Sequence, residues 1–122
     1  MPEIVKGVGK DAPIVTNENG GRQSASAYAF QEIDTGAILA LAETLKKGFD
    51  KYGPGNWRKI SSLEHFNHMM AHWYAYQAGD RSDDHLAHMF CRAMMAFATA
   101  KTEEEAERVA EQINLQRLGS LL

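Results

Sequence analysis

The residues best suited to chemistry lie between positions 64 and 92, which hold all five histidines of the chain and three aspartates. Imidazole and carboxylate side chains bind divalent metals, move protons and hold phosphate. A spacing of i, i+3 and i+7 places side chains on one helix face, and it occurs twice here. The first set is His65, His68 and His72, and the second is His85, His88 and Arg92.

A short polar break at residues 79–82 separates the two sets. A connection of about four residues favours antiparallel neighbours in a helical hairpin. The end of the first helix then lies near the start of the second, which brings His72 towards Asp84, His85 and His88. The sequence therefore predicts a polar cluster inside an otherwise apolar pair of helices.

Three chemistries could use this cluster, and the spacing does not separate them. A transition metal would take imidazole-rich ligands from two helices, namely His68, His72, Asp84 and His88. Magnesium would prefer carboxylates and would leave the histidines to acid/base work, namely Glu64, Asp80, Asp83 and Asp84. Without a metal, protonated histidines would hold a phosphorylated ligand directly. The HExxH pattern of zinc proteases is absent, which excludes that class.

Capping signals define the helices that must position the cluster. Asp34 is a good N-cap, and an apolar face recurs at three and four residues until Gly-Pro-Gly at 53–55 ends the helix. Ser61 and Glu64 form a capping box for a second helix that runs to about Ala78. A third helix starts at Ser82 or Asp83. We therefore expect an all-α domain, an antiparallel bundle of about four helices.

The last of these four helices is predicted to begin at Thr102, where Glu105 completes a second capping box. Its apolar stripe is narrow and consists of Ala106, Val109, Ala110 and Ile113. Such a stripe needs a partner surface, because most helical stability comes from packing. The stripe predicts a homodimer or a higher homo-oligomer.

Residues 1–30 show no useful periodicity and predict an irregular N-terminal arm, with the helical domain at 31–122. Within the arm, Gly20 and Gly21 would let the backbone approach a ligand, while Arg22 and Ser24 offer donors suited to phosphate. A plain flexible turn is the simpler interpretation of these residues, and composition favours it.

A second loop contains Asn56, Trp57 and Arg58, where the Trp could stack a base or simply plug the end of the helix layer.

Composition limits the classes of function. The chain has 122 residues, which suits one domain, and its charge of -3 argues against a dedicated DNA-binding protein. Cys91 is the single cysteine, and its apolar helical context predicts a buried thiol. We find no membrane-spanning run and no secretory signal, so we expect a cytoplasmic protein.

The order of the motifs resembles a known family. The series is GGRQS at 20–24, KYG at 51–53, NWR at 56–58, HFNH at 65–68, His72, and GDRSDDHLAH at 79–88 followed by Arg92. It resembles the small, largely phage-encoded family of dATP/dGTP diphosphohydrolase N-terminal domains. The resemblance spans about residues 19–97. It implies cleavage of a purine deoxynucleoside triphosphate to monophosphate and pyrophosphate, in the host cytoplasm if the protein is phage-encoded.

By analogy with MazG-type all-α pyrophosphohydrolases, the resemblance implies Mg²⁺ or Mn²⁺ as cofactor, held by Asp80, Asp83 and Asp84. The implied catalytic residues are Glu64, His68, His72 and His88. The implied nucleotide-binding residues are Gly20, Gly21, Arg22, Ser24, Lys51, Asn56, Trp57, Arg58, His85 and Arg92. MazG enzymes carry ExxE and ExxD motifs, whereas histidines occupy much of that space here. The alternative is therefore a non-catalytic phage protein that sequesters a nucleotide or a nucleotide-derived signalling molecule.

Overall fold

The computed structural model describes residues 5–121, with side chains for residues 5–119. Within this part of the chain the fold is mostly helical, with three α-helices and one two-stranded sheet. The chain divides into two compact units, one ending at Thr35 and the other beginning at Gly36. None of the described helices is both long and apolar enough to cross a membrane.

The N-terminal unit contains a β-hairpin, so the arm predicted to be irregular includes a short region of regular structure. Strand β1 (Ile14–Thr16) pairs antiparallel with β2 (Arg22–Ser24), and Thr16 lies opposite Arg22. The turn between them places Gly20 at a φ of 83°, a conformation that favours glycine. A single 3₁₀ turn, Phe30–Glu32, follows. The fold is thus not strictly all-α, because Asn17, Gly20 and Gly21 supply turn chemistry between two short extended runs.

Helix α1 (Thr35–Tyr52) begins directly after Asp34, as predicted from the cap. It ends where Gly53 adopts a φ of 89° and Pro54 cannot continue the helical hydrogen bonds. No side chain of α1 is fully buried. Ile38 and Phe49, both on its apolar face, remain about half exposed. The apolar face of α1 is therefore largely uncovered in a single chain.

Helix α2 (Ser62–Gln77) follows the 3₁₀ turn Asn56–Lys59. The predicted N-cap is confirmed, because Ser61 Oγ accepts a hydrogen bond from the Glu64 amide at 3.3 Å. Glu103 adds a second cap from a distant part of the chain. Its carboxylate accepts bonds from the amide of Ser62 at 2.9 Å and from the Ser62 hydroxyl at 2.5 Å. These bonds hold the start of α2 against the following helix.

Helix α3 (His85–Leu121) is 37 residues long. It starts later than the predicted Ser82 or Asp83, because Asp84 is its N-cap and accepts a bond from the Ala87 amide at 3.1 Å. The seven residues that connect α2 to α3, 78–84, contain the predicted break at 79–82. Helices α2 and α3 pack against each other as the antiparallel hairpin that the short connection implied.

The predicted fourth helix is wrong, since α3 continues through Thr102 without interruption. The capping-box residues there make other bonds. Thr102 Oγ1 donates back to the Ala98 carbonyl at 3.1 Å, and Glu105 pairs with Arg108 at 2.6 Å. Neither glycine nor proline occurs between His85 and Leu118, so nothing in that stretch breaks the helical hydrogen bonds.

The best-buried side chains of the described chain are mainly polar. His65 is completely buried, and His85 and Thr99 are nearly so, whereas Cys91 is the buried member of the apolar set. Burying polar groups is costly unless they are hydrogen-bonded. No buried side-chain nitrogen or oxygen in the described residues lacks a partner. The polar side chains of the small interior are therefore all hydrogen-bonded.

Candidate functional site

An open cavity of about 1030 Å³ lies between α1, the 3₁₀ turn Asn56–Lys59 and the α2–α3 pair. Eight residues predicted for the site line it: Lys51, Asn56, Trp57, Arg58, His72, Asp83, His88 and Arg92. The helical hairpin supplies the imidazoles and a carboxylate, and α1 and the turn supply cations and an indole. The structure thus brings together the central part of the predicted site.

The centre of the polar cluster is a pair of histidines from different helices. Nδ1 of His72 lies 2.9 Å from Nδ1 of His85. On its other side, Nε2 of His85 lies 2.5 Å from a carboxylate oxygen of Asp80. A carboxylate only accepts, so Nε2 of His85 carries a proton and donates it. This bond is the main cause that lowers the pKa of Asp80.

His88 stacks on His72 with ring centroids 4.8 Å apart and an angle of 11° between planes. Its Nε2 lies 3.3 Å from Asp83 Oδ1. Burial is the main cause that lowers the pKa of His72, and the neighbouring rings of His88 and His85 lower it further. The Asp84 backbone amide donates to Asp83 at 2.8 Å and is the main cause that lowers the pKa of Asp83. These shifts favour the ionised form of Asp83 and the neutral form of the His72 ring beside it.

The predicted metal set is divided among three roles. Asp84 caps α3, Asp80 orients His85 and accepts from the Ser82 hydroxyl at 2.9 Å, and Asp83 faces the cavity. In the described residues, the group with spacing suited to a metal is His72, Asp83 and His85, whose ligand atoms lie within 4.8 Å of one another. Imidazole therefore replaces two of the three predicted carboxylates.

Cations from α1 and the 3₁₀ turn also line the cavity. Lys46, Lys47 and Lys51 come from the last two turns of α1. Lys46 pairs with Asp50 at 2.7 Å, whereas Lys51 lies over the ring of Tyr52 at 5.1 Å. In the 3₁₀ turn, the Arg58 guanidinium stacks 4.3 Å from the Trp57 ring. This combination of charge and flat surface suits a phosphorylated aromatic ligand.

His65 holds two elements of the cavity wall in place, a role the sequence did not reveal. Its Nε2 lies 2.9 Å from the Trp57 carbonyl, and its Nδ1 lies 3.0 Å from Nη1 of Arg92. The carbonyl accepts and the guanidinium donates, so the neutral ring with its proton on Nε2 satisfies both. Burial is the main cause that lowers the pKa of His65, and the charge of Arg92 lowers it too. Its position seven residues before His72 was the available signal.

Several predicted residues of the helical unit lie outside the cavity wall. Glu64 and His68 are exposed on α2, and His85 is buried behind His72. Gly20, Gly21, Arg22 and Ser24 belong to the N-terminal hairpin. There, Asn17 Oδ1 accepts bonds from the amides of Asn19 and Gly21, each at 2.9 Å. The amides of Asn19 and Gly21 are thus already hydrogen-bonded within the turn, and Gly20 and Gly21 serve as turn residues.

Cys91 lines the cavity but is buried, as the sequence predicted. Burial raises the pKa of its thiol, which opposes formation of the reactive thiolate. The sulfur therefore contributes to the wall of the cavity as an apolar group, together with Met94 and Met95.

Comparison with known proteins identifies a family. The family model described as dATP/dGTP diphosphohydrolase, N-terminal, matches residues 17–108, which is more than half of the chain. The matched range includes the whole cavity wall and the cluster behind it. No curated protein and no solved structure matches.

Proposed function

Because the chain belongs to the dATP/dGTP diphosphohydrolase N-terminal family, we propose that it binds a purine deoxynucleoside triphosphate and hydrolyses it to monophosphate and pyrophosphate. The observation that carries the proposal is the shared cavity. Lysine and arginine side chains, the Trp57 indole, two imidazoles and a carboxylate all line the same cavity of about 1030 Å³. Small-molecule pockets typically have volumes of about 300–1,000 Å³, so a nucleotide fits this opening.

Phosphate binding falls to the cations of α1, the 3₁₀ turn and α3. Lys51, Arg58 and Arg92 approach from three different elements, so they can neutralise charge at several oxygens of one triphosphate. The His65 bond fixes the Arg92 guanidinium and reduces the freedom that it would lose on binding. Charge neutralisation is the main requirement of phosphoryl transfer.

The base has a stacking surface at Trp57 and Arg58. The guanidinium lies 4.3 Å from the indole ring, so the two flat groups form one platform. Stacking on an aromatic side chain contributes about 1–3 kcal/mol per base in single-stranded nucleic-acid complexes. Purines offer more area than pyrimidines to such a platform, which agrees with the purine substrate class in the family name.

His88 and Asp83 are the proposed acid/base pair. Asp83 accepts from Nε2 of His88, so the lone pair of the neutral ring is at Nδ1, where it can take a proton from water. The water oxygen bonds to the α-phosphorus, the bond from that phosphorus to the bridging oxygen breaks, and pyrophosphate leaves. His72 supports the geometry by stacking on the His88 ring.

A divalent cation, Mg²⁺ or Mn²⁺, is part of the proposal and would neutralise phosphate charge when bound. Among the described cavity-lining residues, Asp83 is the one carboxylate, and the neighbouring donors are imidazoles. Magnesium prefers all-oxygen surroundings, so this donor set suits Mn²⁺ better.

The single carboxylate in the cavity wall favours a second candidate, a protein that binds the nucleotide without cleaving it. A single carboxylate in the wall is fewer than a carboxylate-based magnesium site uses. Such a protein would sequester a nucleotide or a nucleotide-derived signal. Both candidates share the cavity and differ only in turnover.

The test combines binding and product analysis on a nucleotide panel with Mg²⁺ or Mn²⁺. Arg58→Ala should weaken binding of dATP or dGTP by about tenfold, equivalent to about 1.4 kcal/mol. Lys59→Ala is the matched control, since Lys59 is the neighbouring exposed cation and does not line this cavity. Chromatography should show monophosphate and pyrophosphate.

The outcomes separate the candidates. Tight binding without product would support the sequestering protein, and His88→Gln would then leave affinity unchanged. Equal weakening by the Arg58 and Lys59 changes, or no binding by any nucleotide, would contradict the proposal.

A further inference from the structure

We propose that His72, His85 and Asp83 bind a divalent ion of a first-row transition metal such as Mn²⁺, Co²⁺ or Zn²⁺. This inference rests on the proposed function, whose divalent cation it assigns to named ligands, and it can be tested without any nucleotide. The three side chains come from the end of α2, the start of α3 and the connection between them. One ligand atom from each lies within 4.8 Å of the others.

The two imidazoles are placed as ligands of a common ion. Their Nδ1 atoms face each other at 2.9 Å, and both bear lone pairs whenever the protons are on Nε2. Two nitrogens bound to one ion at about 2.1 Å each stand about 3.0–3.4 Å apart, depending on the coordination angle. A small opening of the present pair would admit the ion.

Asp80 accepts a hydrogen bond from the ring nitrogen of His85 that would not bind the metal. A metal-binding histidine almost always donates its second ring N–H to a carboxylate, a carbonyl or water, which fixes the tautomer. Nε2 of His85 donates to Asp80 in this way at 2.5 Å, and Asp80 is held in turn by the Ser82 hydroxyl. The proton on Nε2 leaves the lone pair of the neutral His85 ring on the nitrogen that faces His72.

Asp83, the third proposed ligand, lines the cavity. Asp83 Oδ1 is engaged by the Asp84 amide and by His88, which leaves Oδ2 for the ion. His72 and Asp83 both line the cavity, whereas His85 lies behind them with 8% of its surface exposed. An ion held here would therefore keep coordination positions directed into the cavity.

The donor chemistry determines the metal class. Two imidazoles and one carboxylate suit Mn²⁺, Fe²⁺, Co²⁺ and Zn²⁺, while Mg²⁺ binds mainly carboxylates, water and phosphate. Affinity should follow the general order of these ions, in which Co²⁺ exceeds Mn²⁺. Magnesium should compete poorly, even in large excess.

The test is direct metal binding by the full chain after treatment with a chelator and without nucleotide. We expect about one Co²⁺ per chain by equilibrium dialysis, with visible absorption that reports nitrogen ligation. His72→Gln should reduce affinity at least tenfold. Asp80→Asn should reduce it by about 10–100-fold, although Asp80 is not a ligand, because it orients His85.

His68→Ala is the matched control, since it removes an exposed imidazole from the same helix, outside the cluster. It should leave Co²⁺ uptake unchanged, and circular dichroism checks that each variant is folded. Uptake that is absent, or equal in wild type and His72→Gln, would overturn the site and leave a simple hydrogen-bonded histidine pair. Nucleotide hydrolysis with Mg²⁺ but no Co²⁺ site would contradict this inference alone. A Co²⁺ site without hydrolysis would contradict only the proposed catalysis.

Discussion

The two halves of α3 have opposite surroundings. From His85 to Ala100 the helix packs on α2 and includes three of the buried side chains, two of them polar. From Lys101 to Gly119 every described side chain is exposed, including four large apolar ones: Val109, Ile113, Leu115 and Leu118. Two of the three buried side chains in the first half are thus polar, whereas the large apolar side chains of the second half are exposed.

This difference separates what a single chain can stabilise from what it cannot. In the first half, the buried polar side-chain atoms are all hydrogen-bonded within the described chain. The second half is a helical segment of about 20 residues, and isolated helices of that length are only marginal in water. The first half lines the cavity, and the second half presents exposed apolar side chains.

The largest expected effect tests the polar interior. His65→Ala would leave the Trp57 carbonyl without its donor and the Arg92 guanidinium without its acceptor, and it would open a void. We expect a loss of about 3 kcal/mol in the free energy of unfolding. Urea denaturation monitored by circular dichroism measures it.

The matched control is His68→Ala, because His68 is on the same helix but exposed. Its effect should lie within about 0.5 kcal/mol of zero. Similar losses in the two variants would show that the buried His65 contributes no more to the free energy of unfolding than the exposed His68.

The second prediction concerns the exposed half. The sequence predicts a homo-oligomer, and we propose that a second copy covers the stripe that contains Val109 and Ile113. Folding coupled to dimer formation makes stability depend on concentration, by up to about 2.7 kcal/mol per hundredfold dilution. Val109→Asp with Ile113→Asp should abolish that dependence.

Light scattering over a hundredfold concentration range measures the mass in parallel. Glu104→Lys with Glu107→Lys is a control for charge change, since both positions are exposed on the same segment. A wild-type protein that remains monomeric at the highest concentration would contradict the prediction.

Local signals in the sequence were sufficient for much of the fold. Asp34, Ser61 and the Gly-Pro-Gly run each act within one helical turn, so the bounds of α1 and the start of α2 follow from neighbouring residues. The short connection after α2 likewise implied that His72 meets His85 and His88, as the structure shows.

Roles that depend on exact rotation or on distant partners were not predictable. Each residue turns a helix by about 100°, so moving the start of α3 from Ser82 to His85 redirects every aspartate before it. Asp84 thereby became the cap and Asp83 the cavity residue. His65 has partners eight and 27 residues away, a separation that no local pattern reports.

The third prediction is a pH dependence of stability that arises in the polar interior. The pKa of His65 in the folded chain is lowered mainly by burial. Below about pH 6.5, His65 therefore becomes protonated in the unfolded chain while it stays neutral in the folded chain. The stabilisation is complete above that pH and is lost as pH falls through the folded pKa.

Urea midpoints measured between about pH 7.5 and pH 5.5 test this sign. The midpoint of the wild type should fall more than that of His65→Gln, which keeps hydrogen-bonding groups but cannot titrate in this range. His72 contributes in the same direction in both proteins, so the difference isolates His65. Parallel curves would show that His65 is not protonated on unfolding.

The smallest expected effect tests the boundary between the two halves of α3. Thr102 lies inside a continuous helix, and its hydroxyl bonds to the Ala98 carbonyl rather than capping a new helix. Thr102→Ala should therefore stabilise the protein by about 0.5 kcal/mol through helix propensity. Ser61→Ala removes a true cap and should cost about 1 kcal/mol. The two changes should thus have opposite signs in the same denaturation assay, and a loss of about 1 kcal/mol at both positions would mean that a separate helix begins at Thr102 in solution.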